Sequence, residues 1–167
     1  MQYALLPWPY LNSRYDTSIR PMLMRELSRL LERAGTEALV TQNQFGGLDF
    51  LCFEAGPLSP AALAILSTHS HLRLLFEVRP DGAMMPLLSA RAPEVGGDLS
   101  SMLKYKGKTS ELFTRSLISL AVLESDFSGG MFEKRTLFDP MCGRGTALFE
   151  ALNRGWQAGG DWVANVH

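Results

Sequence analysis

Residues 136–161 read TLFDPMCGRGTALFEALNRGWQAGGD, and this stretch decides the fold. Thr136, Leu137 and Phe138 form a short β-branched and aromatic run that stops at Asp139-Pro140, because proline fixes φ and offers no N–H to a ladder. Gly143 and Gly145 follow and allow a sharp turn with the backbone open to close approach. Ala147, Leu148, Ala151 and Leu152 then recur at helical spacing, and Gly155 stands where a helix would end. A second short segment leads to Asp161. Strand, glycine turn, helix, second strand and a further acidic residue make up the mononucleotide-binding half of a doubly wound α/β domain. The pattern predicts a site for a nucleotide-like ligand.

The turn differs from its best-known relatives. A phosphate-binding loop needs GxxxxGK[ST], and no lysine follows these glycines. The dinucleotide fingerprint needs GxGxxG, but Leu148 stands where the third glycine would be, which disfavours a nicotinamide enzyme. The remaining string, Asp139-Pro140-Met141-Cys142-Gly143-Arg144-Gly145-Thr146, resembles motif I of the class I S-adenosylmethionine-dependent RNA methyltransferases, in the D-P-x-C-G-x-G-T form of the enzymes that modify guanine N2. That group includes THUMP-domain enzymes and the Trm11-like tRNA enzymes. Phe149-Glu150-Ala151, Gly155-Trp156 and Gly160-Asp161 fit the same pattern. So does an upstream segment, Tyr105-Lys106-Gly107-Lys108-Thr109 followed by Phe113-Thr114-Arg115 and a leucine-rich helix. The resemblance covers roughly residues 104–161, and more weakly the N-terminal unit.

The resemblance implies S-adenosylmethionine as cofactor. This molecule has no phosphates, so the site must hold a charged methionine end and a ribose instead. By resemblance, Asp139 lies near the methionine amino group, Gly143 and Gly145 admit the cofactor against the backbone, and Asp161 accepts from the ribose hydroxyls. Pro140, Cys142 and Thr146 complete the cofactor-binding set. Within this motif Cys142 packs near the cofactor and is not a nucleophile. RNA, as tRNA or rRNA, is the implied partner.

At 167 residues, 46% hydrophobic and 20% charged, the chain has the make-up of a soluble globular protein of one ordinary or two small domains. A net charge of −1 neither supports nor excludes RNA binding, since a basic patch can sit on a neutral protein. Two cysteines and no secretion signal point to reduced thiols in the cytoplasm. No apolar run approaches the ~20 residues of a membrane span.

The expected organisation is an α+β module over 1–90, a linker over 91–100 and an incomplete Rossmann-like domain over 101–167, an α/β chain overall. In the first module, 3–6 reads as a strand closed by Pro7 and Pro9. Asp16, Thr17 or Ser18 caps a helix with Pro21 in its first turn and a core face of Ile19, Met22, Leu23, Leu27, Leu30 and Leu31. Gly35 ends it. Strand-like runs at 38–41 and 48–53 flank 43–47, which predicts a hairpin with a longer loop. Ser59-Pro60 starts a helix expected to reach about Thr68. Residues 71–78 and 84–88 are strands around the Pro80-Asp81-Gly82 turn. Thr109 or Ser110 caps the leucine-rich helix.

Lys104, Lys106 and Lys108, with Tyr105, suit phosphate and base contacts, and suit equally a solvated linker. His69-Ser70-His71 has no acidic or thiol residue at ligand spacing and reads as a helix-to-strand turn, so no metal site is expected.

Alignment of the target amine in this family comes from a [DN]-P-P-[YF] tetrapeptide, which the chain lacks. No catalytic residue is therefore assigned. Only six residues follow Asp161, which would leave a parallel sheet of about two strands with open edges. The expectation is part of an RNA methyltransferase, inactive alone, with Trp156, Trp162 and Val163 exposed and self-association through the sheet edge. The alternative is a non-catalytic RNA-binding or scaffolding module in which the glycine turn is a remnant.

Overall fold

The computed structural model describes residues 1–9, 13–90, 109–125, 133–143 and 145–160. It divides into two compact units, Met1–Arg91 and Ala92–His167. Both mix helices and strands, which makes the chain α/β in the broad sense.

The first unit runs β1 (Gln2–Pro7), α1 (Ser13–Arg33), β2 (Thr41–Phe45), β3 (Leu48–Glu54), α2 (Pro60–Leu66), β4 (Leu72–Val78) and β5 (Met84–Ser89). Its strands form one antiparallel sheet in the order β2-β3-β1-β4-β5. β1 lies between β3 and β4, so each strand–helix–strand crossover skips one strand. That is the split βαβ arrangement of ferredoxin-like domains, extended here by β5. Polar Gln42, Asn43 and Gln44 on edge strand β2 and Pro86 on edge strand β5 both discourage further pairing.

Alternation along β1 divides the apolar side chains between two faces. Tyr3 and Leu5 stand opposite Phe53, Leu51 and Leu75 in register, and Tyr3 stacks on Phe53 at 5.2 Å. Ala4 stands opposite Cys52 and Phe76, and packs with Phe50, Leu6 and Val78 in a second cluster. The buried helix residues Leu23, Leu27, Leu31 and Leu66 lie outside that second cluster, and α1 and α2 touch each other.

Several local readings need correction. α1 begins at Ser13, so Pro21 lies inside the helix and not in its first turn. The buried stripe Ile19, Leu23, Leu27 and Leu30 outweighs the hydrogen bond that the proline removes. Gly35 ends α1 with φ +69°, Gly35 N–H donating to Glu32 and Thr36 N–H to Leu31, a Schellman closure. The run at 38–40 is not strand. Asn43, Gln44 and Phe45 belong to β2, and the hairpin turns on Gly46-Gly47 alone, both left-handed at φ +57° and +79°. Two positive φ values match the twist of a two-residue hairpin, so no longer loop is needed. α2 is capped by Ser59 Oγ, which accepts from Ala62 N–H at 3.1 Å, but it stops at Leu66 and not near Thr68.

His69, Ser70 and His71 form the turn between α2 and β4, and all three are buried. Glu26, fully buried on α1, accepts from Ser70 N–H at 2.7 Å and from Ser70 Oγ. His69 Nε2 lies 3.2 Å from Leu23 O, while its Nδ1 accepts from His71 N–H at 3.2 Å. These bonds tie the turn to α1 in an otherwise apolar layer.

The second unit contains α3 (Glu111–Leu123), β6 (Thr136–Asp139), α4 (Thr146–Asn153) and β7 (Gln157–Gly160). Ser110 caps α3, its Oγ accepting from Phe113 N–H at 3.4 Å. β6 and β7 pair in parallel from Thr136 opposite Gln157 to Asp139 opposite Gly160. α4 closes on Gly155 as α1 does on Gly35: Gly155 N–H donates to Leu152 and Trp156 N–H to Ala151. Trp156 is half-buried and not exposed as expected, with the Arg154 guanidinium 5.4 Å from its ring centroid. Trp162 and Val163 lie outside the described residues.

Candidate functional site

The end of β6 and the start of α4 are joined by a tight turn whose backbone follows from its residue types. Asp139 is half-buried and accepts from Met141 N–H through Oδ1 at 3.0 Å, which bends the chain immediately after the strand. Pro140 is exposed. Cys142 turns inward and is buried, and its carbonyl accepts from Gly145 N–H at 2.7 Å. Gly143 and Gly145 both have positive φ, +53° and +80°. A side chain at either position would be strained.

The two glycines differ in their surroundings. A Cβ at Gly143 would meet nothing within 4 Å, so the turn presents bare backbone to open space there. Gly145 is the N-cap of α4 and, having no side chain, gives the first N–H groups of the helix no side-chain cap. Thr146 opens the helix and is buried.

Gly160 at the end of β7 lies against the underside of the turn. A Cβ there would come within 2.4 Å of Asp139 O and 3.2 Å of Cys142 Sγ. Glycine at 160 thus lets β7 approach the strand end and fixes the height of the turn above the sheet.

A second layer supports α4. Glu150, 1% exposed, receives two bonds from Arg115 of α3, Nε to Oε2 at 2.9 Å and Nη2 to Oε1 at 3.2 Å. Arg154 Nη2 donates to Ser119 Oγ at 2.7 Å and to Arg115 O at 3.0 Å. α3 therefore orients α4, and with it the turn.

Of the residues expected to hold a cofactor, Asp139, Pro140, Cys142, Gly143, Gly145 and Thr146 come together in this one turn. Asp161, Lys104, Lys106 and Lys108 lie outside the described residues. Sequence reasoning placed Arg115, Glu150 and Gly160 in the motif pattern but missed the Arg115–Glu150 pairing and the packing of Gly160 under the turn. The available signal was Glu150 itself, a charged residue on the apolar stripe of α4, which needs a partner once buried.

The turn offers a ligand open backbone at Gly143, a helix start that suits an anionic group, and a carboxylate at 139 that suits a cationic one. Around it Phe138 is 67% and Met141 85% exposed, apolar surface of the kind that a ligand or further chain covers.

Comparison with protein-family models, with curated proteins and with solved structures returns no match to this chain.

Proposed function

We propose that residues 136–160 form the methyl-donor turn of an S-adenosylmethionine-dependent RNA methyltransferase similar to the THUMP-associated guanine-N2 enzymes, in a Rossmann-like domain of which β6, α4 and β7 are the opening elements. The observation that carries this reading is the conjunction at one turn of Asp139 at a strand end, Gly143 with open space where its side chain would be, and an uncapped helix start at Gly145.

When bound, the donor supplies an electrophilic methyl group on its sulfonium. The chain's own residues hold and orient: the Asp139 carboxylate takes the amino group, and the N–H groups opening α4 take the carboxylate. Cys142 and Gly160 hold the turn down against β7. No residue is assigned to aligning the target amine, because no [DN]-P-P-[YF] tetrapeptide occurs in the sequence. The chain alone is therefore proposed to bind the donor weakly and to transfer no methyl group to RNA.

Amide chemical shifts of the labelled chain, followed while S-adenosylhomocysteine is added to millimolar concentration, test this. Shifts concentrated at 139–146 and 157–160, and lost in Asp139→Ala, are expected. A titration that moves none of these amides, or moves them equally in Asp139→Ala, overturns the reading.

A further inference from the structure

The first unit contains a cleft of about 250 Å³ between the end of β1 and the start of β3. Met1 and Ala55 exchange both backbone hydrogen bonds, so the odd positions of β1 turn their N–H and C=O groups toward β3. Pro7 is the next of these after Leu5 and has no N–H to give. The β1–β3 register accordingly stops at Leu5 opposite Leu51, while β1 continues along β4 to Pro7 opposite Leu72. Buried Ile19, Leu23, Phe50 and Leu51 supply apolar lining, and Arg20, Asp49 and Arg73 bring charge to it. The volume lies below the ~300 Å³ at which pockets for drug-sized ligands begin, so the cleft suits a body of one ring and not an extended cofactor.

The charges in the lining do not balance. Arg20 donates to Asp49 Oδ2 at 2.7 Å and Gln44 donates to Asp49 Oδ1 at 2.8 Å, so Asp49 is already neutralised by Arg20. Arg73 has no such acid. Its guanidinium lies over the Trp8 ring, 5.3 Å from the centroid, and among the described residues no acceptor meets it or the Trp8 indole N–H. A guanidinium stacked by its face keeps its N–H groups in its own plane, where they match the two oxygens of a carboxylate. Trp8 gives that stack a firm base: prolines flank it, and its backbone N–H donates to His71 O at 2.9 Å.

One uncompensated cation calls for a monoanion. A carboxylate meets that, whereas a phosphate monoester carries about 1.5 to 2 negative charges at pH 7. We infer that this cleft binds a small organic acid, its carboxylate on the in-plane N–H groups of Arg73 and its apolar body, of one-ring size, against Ile19, Leu23 and Phe50. The inference is independent of the methyl-donor reading above.

Benzoate is the probe, and benzamide is the uncharged molecule of the same shape. Amide and indole N–H resonances of the labelled full chain are followed while each is added to tens of millimolar. Benzoate is expected to shift the Trp8 indole N–H and the amides of Trp8 and 48–51 saturably. Benzamide is expected to bind about tenfold more weakly or worse, the scale of a lost charge-assisted hydrogen bond. Arg73→Gln should weaken benzoate by about ten- to a hundredfold and leave benzamide unchanged, closing the gap between the two. Arg73→Lys, which keeps the charge and loses the fork, should fall between. Arg79→Ala, beyond the far end of β4, should bind both molecules as the wild type does. Dispersed amide resonances in the same spectra show that each variant is folded.

A benzoate titration that moves none of these resonances overturns the inference. Equal affinity for benzoate and benzamide, or equal affinity of wild type and Arg73→Gln for benzoate, overturns it as well, because the cleft then takes apolar molecules without regard to charge. Tighter binding of phenyl phosphate than of benzoate assigns the cleft to phosphate esters and overturns the carboxylate.

Discussion

Arg115 on α3 and Glu150 on α4 face each other through two parallel hydrogen bonds, 2.9 and 3.2 Å long, with the carboxylate buried and the guanidinium one-quarter exposed. The asymmetry in burial sets the cost of breaking the pair. Removing the arginine strands a desolvated carboxylate, whereas neutralising the glutamate leaves a cation that can turn to water. Arg115→Ala should therefore destabilise the second unit by about 3 kcal/mol, and Glu150→Gln by about 1–2 kcal/mol. Urea unfolding followed by far-ultraviolet circular dichroism measures both. Equal losses would show that the pair is not the anchor of α4.

Gly160 and Gly159 are neighbours with opposite freedom. A Cβ at 159 meets nothing within 4 Å, while one at 160 would lie 2.4 Å from the Asp139 carbonyl. Real Cβ atoms do not sit that close to backbone, so Gly160→Ala must push β7 or the turn aside. A cost of about 1–3 kcal/mol is expected, together with shifted amide resonances through 139–146. Gly159→Ala should leave those resonances in place.

The outcome at the two hairpin glycines shows what could be read from sequence and what could not. Caps and stops were legible because each depends on one residue type at one position: Ser59 before Pro60, Ser110 before α3, Gly35 and Gly155 after their helices. The turn at 139–146 was legible for the same reason. The β2–β3 register was not, because Thr41-Gln42-Asn43-Gln44 is polar and carries no alternation that marks a face, and pairing with β3 alone makes it a strand. The start of α1 was missed because proline commonly marks a first turn, and the apolar stripe that overrides it acts only in the packed unit. Strand order was invisible, since it depends on contacts between segments far apart. The Arg115–Glu150 and Glu26–Ser70 pairs join residues 35 and 44 positions apart, so a charge on an apolar helix face signals that a partner is needed but not which residue it is.

A two-residue turn with both residues left-handed makes a clear prediction at the hairpin. Asparagine tolerates the first position well, so Gly46→Asn should be neutral within a few tenths of a kcal/mol. Gly47→Val should cost more than about 1 kcal/mol, because a β-branched side chain is strained at φ +79° whatever the open space around it. Thermal unfolding of the two variants ranks them. A longer, adaptable loop would accept both equally.

The last prediction concerns pH. Cys52 is buried on the second face of the sheet opposite Ala4, and burial pushes its thiol above the usual range, against a weaker opposing pull from Asn43. In the unfolded chain the thiol ionises at its ordinary value of about 8.5, while in the folded chain it keeps its proton to higher pH. Above that ordinary value the unfolded state holds fewer protons than the folded one, so stability falls as pH rises and levels off only once the folded thiol also ionises. Below about pH 8 the thiol is protonated in both states and contributes no slope. The decline cannot exceed about 1.4 kcal/mol per pH unit, the limit for one proton. Other groups also titrate between pH 8 and 10, so the quantity to measure is the difference between wild type and Cys52→Ala in urea unfolding across that window. The wild type should lose stability with pH faster than the variant. Parallel curves would mean that the thiol ionises alike in both states and that the second face of the sheet is open to water.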